Sequence, residues 1–273
     1  MKRLGGSVLI NLALAAGGLL TLTPLLWMLS ASLMPAGEAN SLPPPLLPSR
    51  LELGNYAALF SRLSLARNLL NSVAISLAVT LSSVLINSMA GYAFAKLRFR
   101  GREPVFRLLL TALLIPAQVG MLPLFLLLKG MGLVNSYAGV MIPGLAGVFG
   151  IFLVRQYVAA LPDELLDAAR VDGAGEWRIF RLIVLPIIRP ILVTLAVFSF
   201  LGCWNDFLWP LIILSDSGKY TLPVALAGLS GEHVQDTELM MAGSVVTILP
   251  VLLVFLFLQR AYLRGILAGS VKG

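Results

Sequence analysis

The densest set of ionisable and turn-forming residues in the sequence falls between positions 155 and 185. Asp163, Glu164, Asp167, Asp172 and Glu176 put five of the chain's 13 acidic residues there, around the pair Ala168-Ala169 and the glycines Gly173 and Gly175. That mixture suits a protein contact better than bond-making chemistry: small side chains allow close approach, and flanking charges set a register. Elsewhere the chemical repertoire is thin. His233 is the sole histidine, with no second His or Cys nearby in sequence to complete a metal site. A lone Cys203 allows no intrachain disulfide, and its apolar setting reads as a small buried hydrophobe. Gly218-Lys219 is followed by Tyr220 and lacks the upstream glycine of a phosphate-binding loop, so ATP is not held here in that manner. A Ser-His-Asp site would rest on His233, in a segment without a nucleophile elbow.

The acidic segment carries helix signals. Pro162 followed by Asp163 and Glu164 is a good helix start, because proline suits the first turn and acids complement the N-terminal dipole. Leu165, Ala168 and Ala169 make a narrow apolar stripe, and Gly173 is placed to stop the helix in a left-handed conformation. A second short helix through Trp177 and Phe180 leads to Pro186. So short a helix is not stable alone and must pack on something. The residues by themselves admit two readings: a docking element for another protein, or an amphipathic helix lying on lipid headgroups.

The surrounding elements belong to a membrane. Of 273 residues, 58% are hydrophobic and 12% charged, against roughly 25% charged in soluble domains. A spanning helix needs about 20 mainly apolar residues, and six stretches qualify: Val8–Leu33, Leu69–Ala95, Leu108–Leu128, Tyr137–Val154, Pro186–Phe207 and Leu239–Leu258. The first stays uncharged from Leu4 to Gly37, longer than the roughly 7–15 residues of a signal-peptide core. It reads as a retained signal anchor. Pro116, Pro123, Pro143 and Pro190 can bend the later stretches. With the N-terminus cytoplasmic, only Arg50, Arg62, Arg67, Lys129 and Lys219 of the 20 basic residues fall outside. This bias predicts cytoplasmic termini and a cytoplasmic 155–185 loop. The net charge of +7 therefore fits orientation at an anionic leaflet rather than nucleic acid. Two external segments, near 34–66 and 211–238, exceed simple turns, and Leu53-Gly54-Asn55-Tyr56 opens a short surface helix in the first.

Asp167-Ala168-Ala169, Gly173, Ile183, Leu185 and Pro186 resemble, in type and spacing, the signature of the membrane subunits of binding-protein-dependent ABC importers. Asp167 replaces the family's glutamate. Gly150–Gln156, Trp204–Pro210 and the tail Gln259–Gly273 are similar to the maltose-type carbohydrate subfamily. The resemblance implies one permease domain over 1–273 in the cell membrane, with six transmembrane helices in the type I importer fold. It implies a non-catalytic pore subunit that moves a sugar by alternating access. It also implies that Asp163, Glu164, Asp167, Ala168, Ala169 and Gly173 form a coupling helix docking on an ATPase. Two ATPase subunits holding ATP and Mg, a second permease and an external sugar-binding protein are the implied partners, with no cofactor in this chain.

Trp204, Asn205, Asp206 and Trp209 form a second candidate set, since Asp206 is the only acid within a predicted span. Counting from Pro186 places it near the outer interface, where it either caps and anchors beside an aromatic belt or contacts solute or binding protein. Asn68, Asn71, Asn87, Ser88 and Gln118 are polar within the second and third stretches, suited to interhelical hydrogen bonds or to a solute path. Proton- or sodium-coupled transport would call for carboxylates at mid-membrane, and the spans offer none. A secondary transporter or channel remains the alternative function, and a membrane-embedded enzyme lacks its catalytic set.

Overall fold

Backbone in hydrocarbon must satisfy its own hydrogen bonds, and this sequence does so with helices. The computed structural model describes residues 2–62, 64–229 and 236–270, and among these every regular element is helical. His233 and Lys272 lie outside the described residues, as do the side chains of Lys2, Arg3, Arg62, Arg260 and Arg264. In chain order the helices are α1 (Lys2–Ala31), α2 (Gly54–Arg62), α3 (Leu65–Lys96), α4 (Arg102–Ala112) and α5 (Ala117–Gly130). There follow α6 (Tyr137–Met141), α7 (Val148–Ala159), α8 (Asp163–Val171), α9 (Glu176–Ile179) and α10 (Leu185–Ile187). The last four are α11 (Arg189–Trp204), α12 (Leu208–Ile213), α13 (Leu222–Leu229) and α14 (Thr237–Ser270).

Among the described residues four helical segments are long and apolar enough to cross a bilayer, or up to six if each of two bent helix pairs is one span. The first, second, fourth and sixth stretches lie within Ile10–Ala31, Leu65–Lys96, Tyr137–Ala159 and Thr237–Gln259 or overlap them closely. The third and fifth are not single rods. α4 and α5 meet at 105°, and the segment Glu176–Ile187 meets α11 at 81°. Proline supplies the cause in each case. Pro116 immediately precedes α5, and Leu113, Leu114 and Ile115 close as tight turns onto Leu110, Thr111 and Ala112. Pro190 sits in the first turn of α11 just after Ile188 leaves helical geometry. Lacking an N–H, proline cannot continue the preceding ladder.

The chain divides into two compact units. One comprises residues 1–66 and 225–250. There α1 exposes Leu12, Leu14, Leu19 and Leu20, as a helix solvated by lipid does. Its loop is tied by side chains: Asn55 Nδ2 donates to the Ser32 and Met34 carbonyls, and Ser32 bonds Tyr56 at 2.7 Å. Ala39 N–H donates to Glu238 Oε1 at 2.7 Å, fixing that loop to the start of α14. The short helix expected at Gly54 is α2.

The other unit comprises residues 67–224 and 251–273 and holds both candidate sites. One apolar cluster joins Tyr92 of α3, Val154 and Val158 of α7, Leu166 of α8 and Ile179, Phe180 and Val184 beyond it. A second joins Ile75 and Val79 of α3 to Leu128, Val140, Trp209 and Ile213. Alongside these apolar residues α3 carries a polar stripe, Ser72, Ser76, Ser83 and Asn87.

Candidate functional sites: an acidic loop helix and a polar cavity

α8 ends as Gly173 dictates. Its φ is 81°, and the Gly173 and Ala174 N–H groups donate to the carbonyls of Arg170 and Ala169. This paired pattern is a Schellman stop. The helix has two faces. Leu166 is buried and Ala169 half-buried against the apolar cluster. Asp163, Glu164, Leu165, Asp167, Ala168 and Val171 face outward, Val171 at 88% exposure. The expected stripe of Leu165, Ala168 and Ala169 is therefore split. Helical geometry sends Leu166 and Ala169 inward together, three residues apart, and leaves Leu165, Ala168 and Val171 as an exposed ridge.

Ionic contacts tie both ends of α8 to its surroundings. Lys96 Nζ, at the last residue of α3, donates to Asp163 Oδ1 at 2.5 Å and to the Leu161 carbonyl at 2.6 Å. That bond holds the Asp163 carboxyl below its usual range. Arg170 donates through Nε to Glu176 at 2.8 Å and through NH1 to Asp167 at 2.6 Å. Glu176 first, then Asp167, bind the guanidinium proton more firmly than usual. Tyr92 Oη, one turn before Lys96, donates to the other Glu176 oxygen at 2.5 Å. Asp167 is thus paired within its own chain. Nearby, Arg155 donates to Glu103 at 2.8 Å and lies over the Phe106 ring.

Beyond Gly175 the chain runs through α9 and a π turn, Phe180–Val184. Ile183 and Leu185 pack against the apolar cluster, while Pro186 is exposed in the first turn of α10.

The second site is a cavity of about 390 Å³ within the same unit. Its polar lining comes chiefly from α3, where Ser72, Ser76, Ser83 and Asn87 recur on one face. Asn87 Nδ2 donates to Ser83 Oγ at 2.8 Å, and Ser83 pairs with Ser199 of α11 at 3.2 Å. Asn87 fits because α7 offers a glycine there: a Cβ on Gly150 would lie 2.5 Å from Asn87 Nδ2. Trp209 forms part of the wall, its Nε1 donating to the Gly139 carbonyl at 3.1 Å.

The second candidate set is divided by this geometry. Asp206 and Trp209 line the cavity, and Asp206 Oδ1 also accepts from the Trp209 N–H at 3.3 Å, capping the start of α12. Trp204 is buried against Phe200 instead, and Asn205 turns back to the Leu201 carbonyl. Of the polar residues singled out in the spans, Asn87 reaches the cavity. Asn71 instead bonds the Gly218 and Tyr220 carbonyls, Ser88 bonds its own helix, and Gln118 is exposed. Lys96, Tyr92 and the serines were not legible as site residues. The period-4 recurrence of Ser72, Ser76 and the later Ser83, Asn87 was the available signal.

Residues 83–267 match the family model described as binding-protein-dependent transport system inner membrane component. An arabino-oligosaccharide transport permease of Halalkalibacterium halodurans is 39% identical over 98% of this chain and 97% of its own. A lactose transport permease of Rhizobium radiobacter is 38% identical over 80% of each chain. An sn-glycerol-3-phosphate transport permease of Yersinia pestis is 32% identical over 97% of each. The fold matches a bacterial ABC transporter that imports alginate, with a TM-score of 0.83 and 23% identity over 94% of this chain and 96% of that one. With the family model covering residues 83–267, which include Ser83, Asn87 and the whole loop helix, the chain belongs to the binding-protein-dependent inner membrane components, the permease subunits of ABC importers.

Proposed function

We propose that this chain is one half of the translocation path of an ATP-driven importer for a sugar or oligosaccharide, with α8 as the element that receives the stroke of an ATPase. The observation carrying this reading is the construction of α8. It presents Leu165, Ala168 and Val171 outward while α3 ties both its ends, Lys96 directly to Asp163 and Tyr92 to Arg170 through Glu176 of α9. A helix lying on headgroups has no need of such a grip, whereas one that transmits force does. The sugar assignment is supported by the relatives named for arabino-oligosaccharides and lactose.

In this reading two ATPase subunits hold ATP and Mg, a second permease completes the path, and an external binding protein delivers the solute. Both termini and the 155–185 loop are cytoplasmic. ATP-driven closure of the ATPases tilts α8, the bundle opens outward to the docked binding protein, and hydrolysis resets it. Each shift requires a partner with different affinity for the two states. The test is solute uptake by the reconstituted complex with and without its ATPase. Uptake that requires the ATPase and ATP is expected; uptake by the permeases alone overturns the reading in favour of a secondary transporter or channel.

A further inference from the structure

We infer that the cavity between α3 and α11 is a subsite for an uncharged, hydroxyl-rich ring, and that it refuses anionic sugars. The inference rests on the importer reading and narrows its substrate class.

Two buried polar atoms in the cavity wall have no partner: Asn87 Oδ1 and Thr221 Oγ1, on residues 1% and 4% exposed. Buried polar atoms are nearly always hydrogen-bonded, so the Asn87 oxygen awaits a donor and the Thr221 hydroxyl a partner of either kind. Ser83 and Ser199 add hydroxyls that both donate and accept, the same capacity a sugar hydroxyl offers in return. The rest of the lining is mostly apolar, and Phe149 and Phe198 meet edge to face at 5.9 Å. A few placed polar groups in an apolar, aromatic wall are the usual make-up of a small-molecule site, and about 390 Å³ falls within the ordinary range of roughly 300–1,000 Å³.

Charge decides the class. The chain carries +7, yet among the described residues no Lys, Arg or His lines the cavity. The one ionisable group in the wall besides Cys203 is Asp206. A phosphate or carboxylate brought here would lose its water, find no cation and face a carboxylate. A neutral ring meets none of these costs.

The experiment uses the whole permease–ATPase complex in nanodiscs without the binding protein, so that selection by the latter does not enter. Tryptophan fluorescence, with Trp209 in the wall, is titrated with neutral arabinose, galactose and glucose oligosaccharides and with 6-phosphate and uronate counterparts. Binding of a neutral member, at least tenfold tighter than its anionic counterpart, is expected. Asn87→Ala and, as a milder change, Ser83→Ala should each weaken neutral binding about three- to tenfold, and Asp206→Asn should narrow the gap to anions. Equal affinity for the charged counterparts, indifference to both polar substitutions, or no neutral ligand at all overturns the subsite. If ATP-dependent uptake of a neutral sugar persists in that case, the importer reading stands without it; ATPase-independent uptake instead removes the reading beneath both.

Discussion

Lys96 Nζ lies 2.5 Å from Asp163 Oδ1, so the last residue of one membrane span grips the first residue of the loop helix. The Lys96 side chain is 7% exposed and that of Asp163 74%. A buried lysine that also donates to the Leu161 carbonyl is a fixed post, and Asp163 is what hangs from it.

Acid should loosen this grip. Lys96 lowers the Asp163 carboxyl below its ordinary 3.8. A depressed carboxyl contributes stability that is fully present above the unfolded-chain value and disappears as pH falls through the folded one. A spin label at Val171 in the purified complex should therefore gain mobility as pH is lowered from 6 to 3. In Lys96→Met the label should be mobile throughout and show a smaller step. Identical, immobile spectra in both proteins would remove the grip.

Gly173→Leu should abolish ATP-coupled uptake while the protein still inserts in the membrane. A γ-branched residue at φ 81° costs about 1–2 kcal/mol and opens the stop that ends α8. Asn, which tolerates the left-handed region, should restore most of the activity. Uptake assays matched for membrane expression check both variants, and normal transport by Gly173→Leu counts against a docking role.

For Asp167 the expectation is a small effect. Its side chain is 64% exposed and already paired with Arg170, and exposed pairs contribute about 0–1 kcal/mol. Asp167→Ala should weaken ATPase binding no more than about fivefold, Asp167→Glu should be tolerated, and Asp167→Arg should be worst, because it faces Arg170. Affinities at two salt concentrations decide this; a loss of several hundredfold for Asp167→Ala would place the carboxylate in a buried intersubunit pair instead.

Gly150→Val should lower thermal stability and close the cavity. Its side chain would collide with Asn87 Nδ2 and with Leu195, whose Cδ1 would lie 2.9 Å from a new Cβ. Overpacking of this kind costs about 1–3 kcal/mol. Melting of the solubilised complex reads the cost, and an unchanged midpoint would mean that α7 yields freely.

Orientation has its own check. Single cysteines at Ser217 and Arg178, in a Cys203→Ser background, should label oppositely with an impermeant reagent in intact cells. Labelling of position 178 but not 217 would invert the topology.

Local signals carried the fold well. Pro162, Gly173 and Pro190 act on their own backbone within a few residues, so the helix start, the stop and the bend near α11 could be read directly. The six apolar stretches follow from bilayer thickness. Sequence position said less about pairing. Ser83 meets Ser199 and Lys96 meets Asp163 across long separations, and no local rule brings them together. The choice between Leu165 and Leu166 as the inward residue also depends on what lies behind α8. Asp206 shows the same limit: its cap on α12 is local, but its place in the cavity wall depends on α3 and α7.

α3 carries Ser72 near one end, Asn87 past its middle and Lys96 at its last residue, in one unbroken helix. From Ser72 to Lys96 the rise is about 36 Å, and among its described neighbours the helix shows no internal proline at which to flex. The cavity wall and the post that holds the loop helix are thus points on one stiff beam. A tilt of a few degrees imposed at Lys96 reappears at Asn87 and Ser83 as a sideways displacement, without any relay of side chains between them.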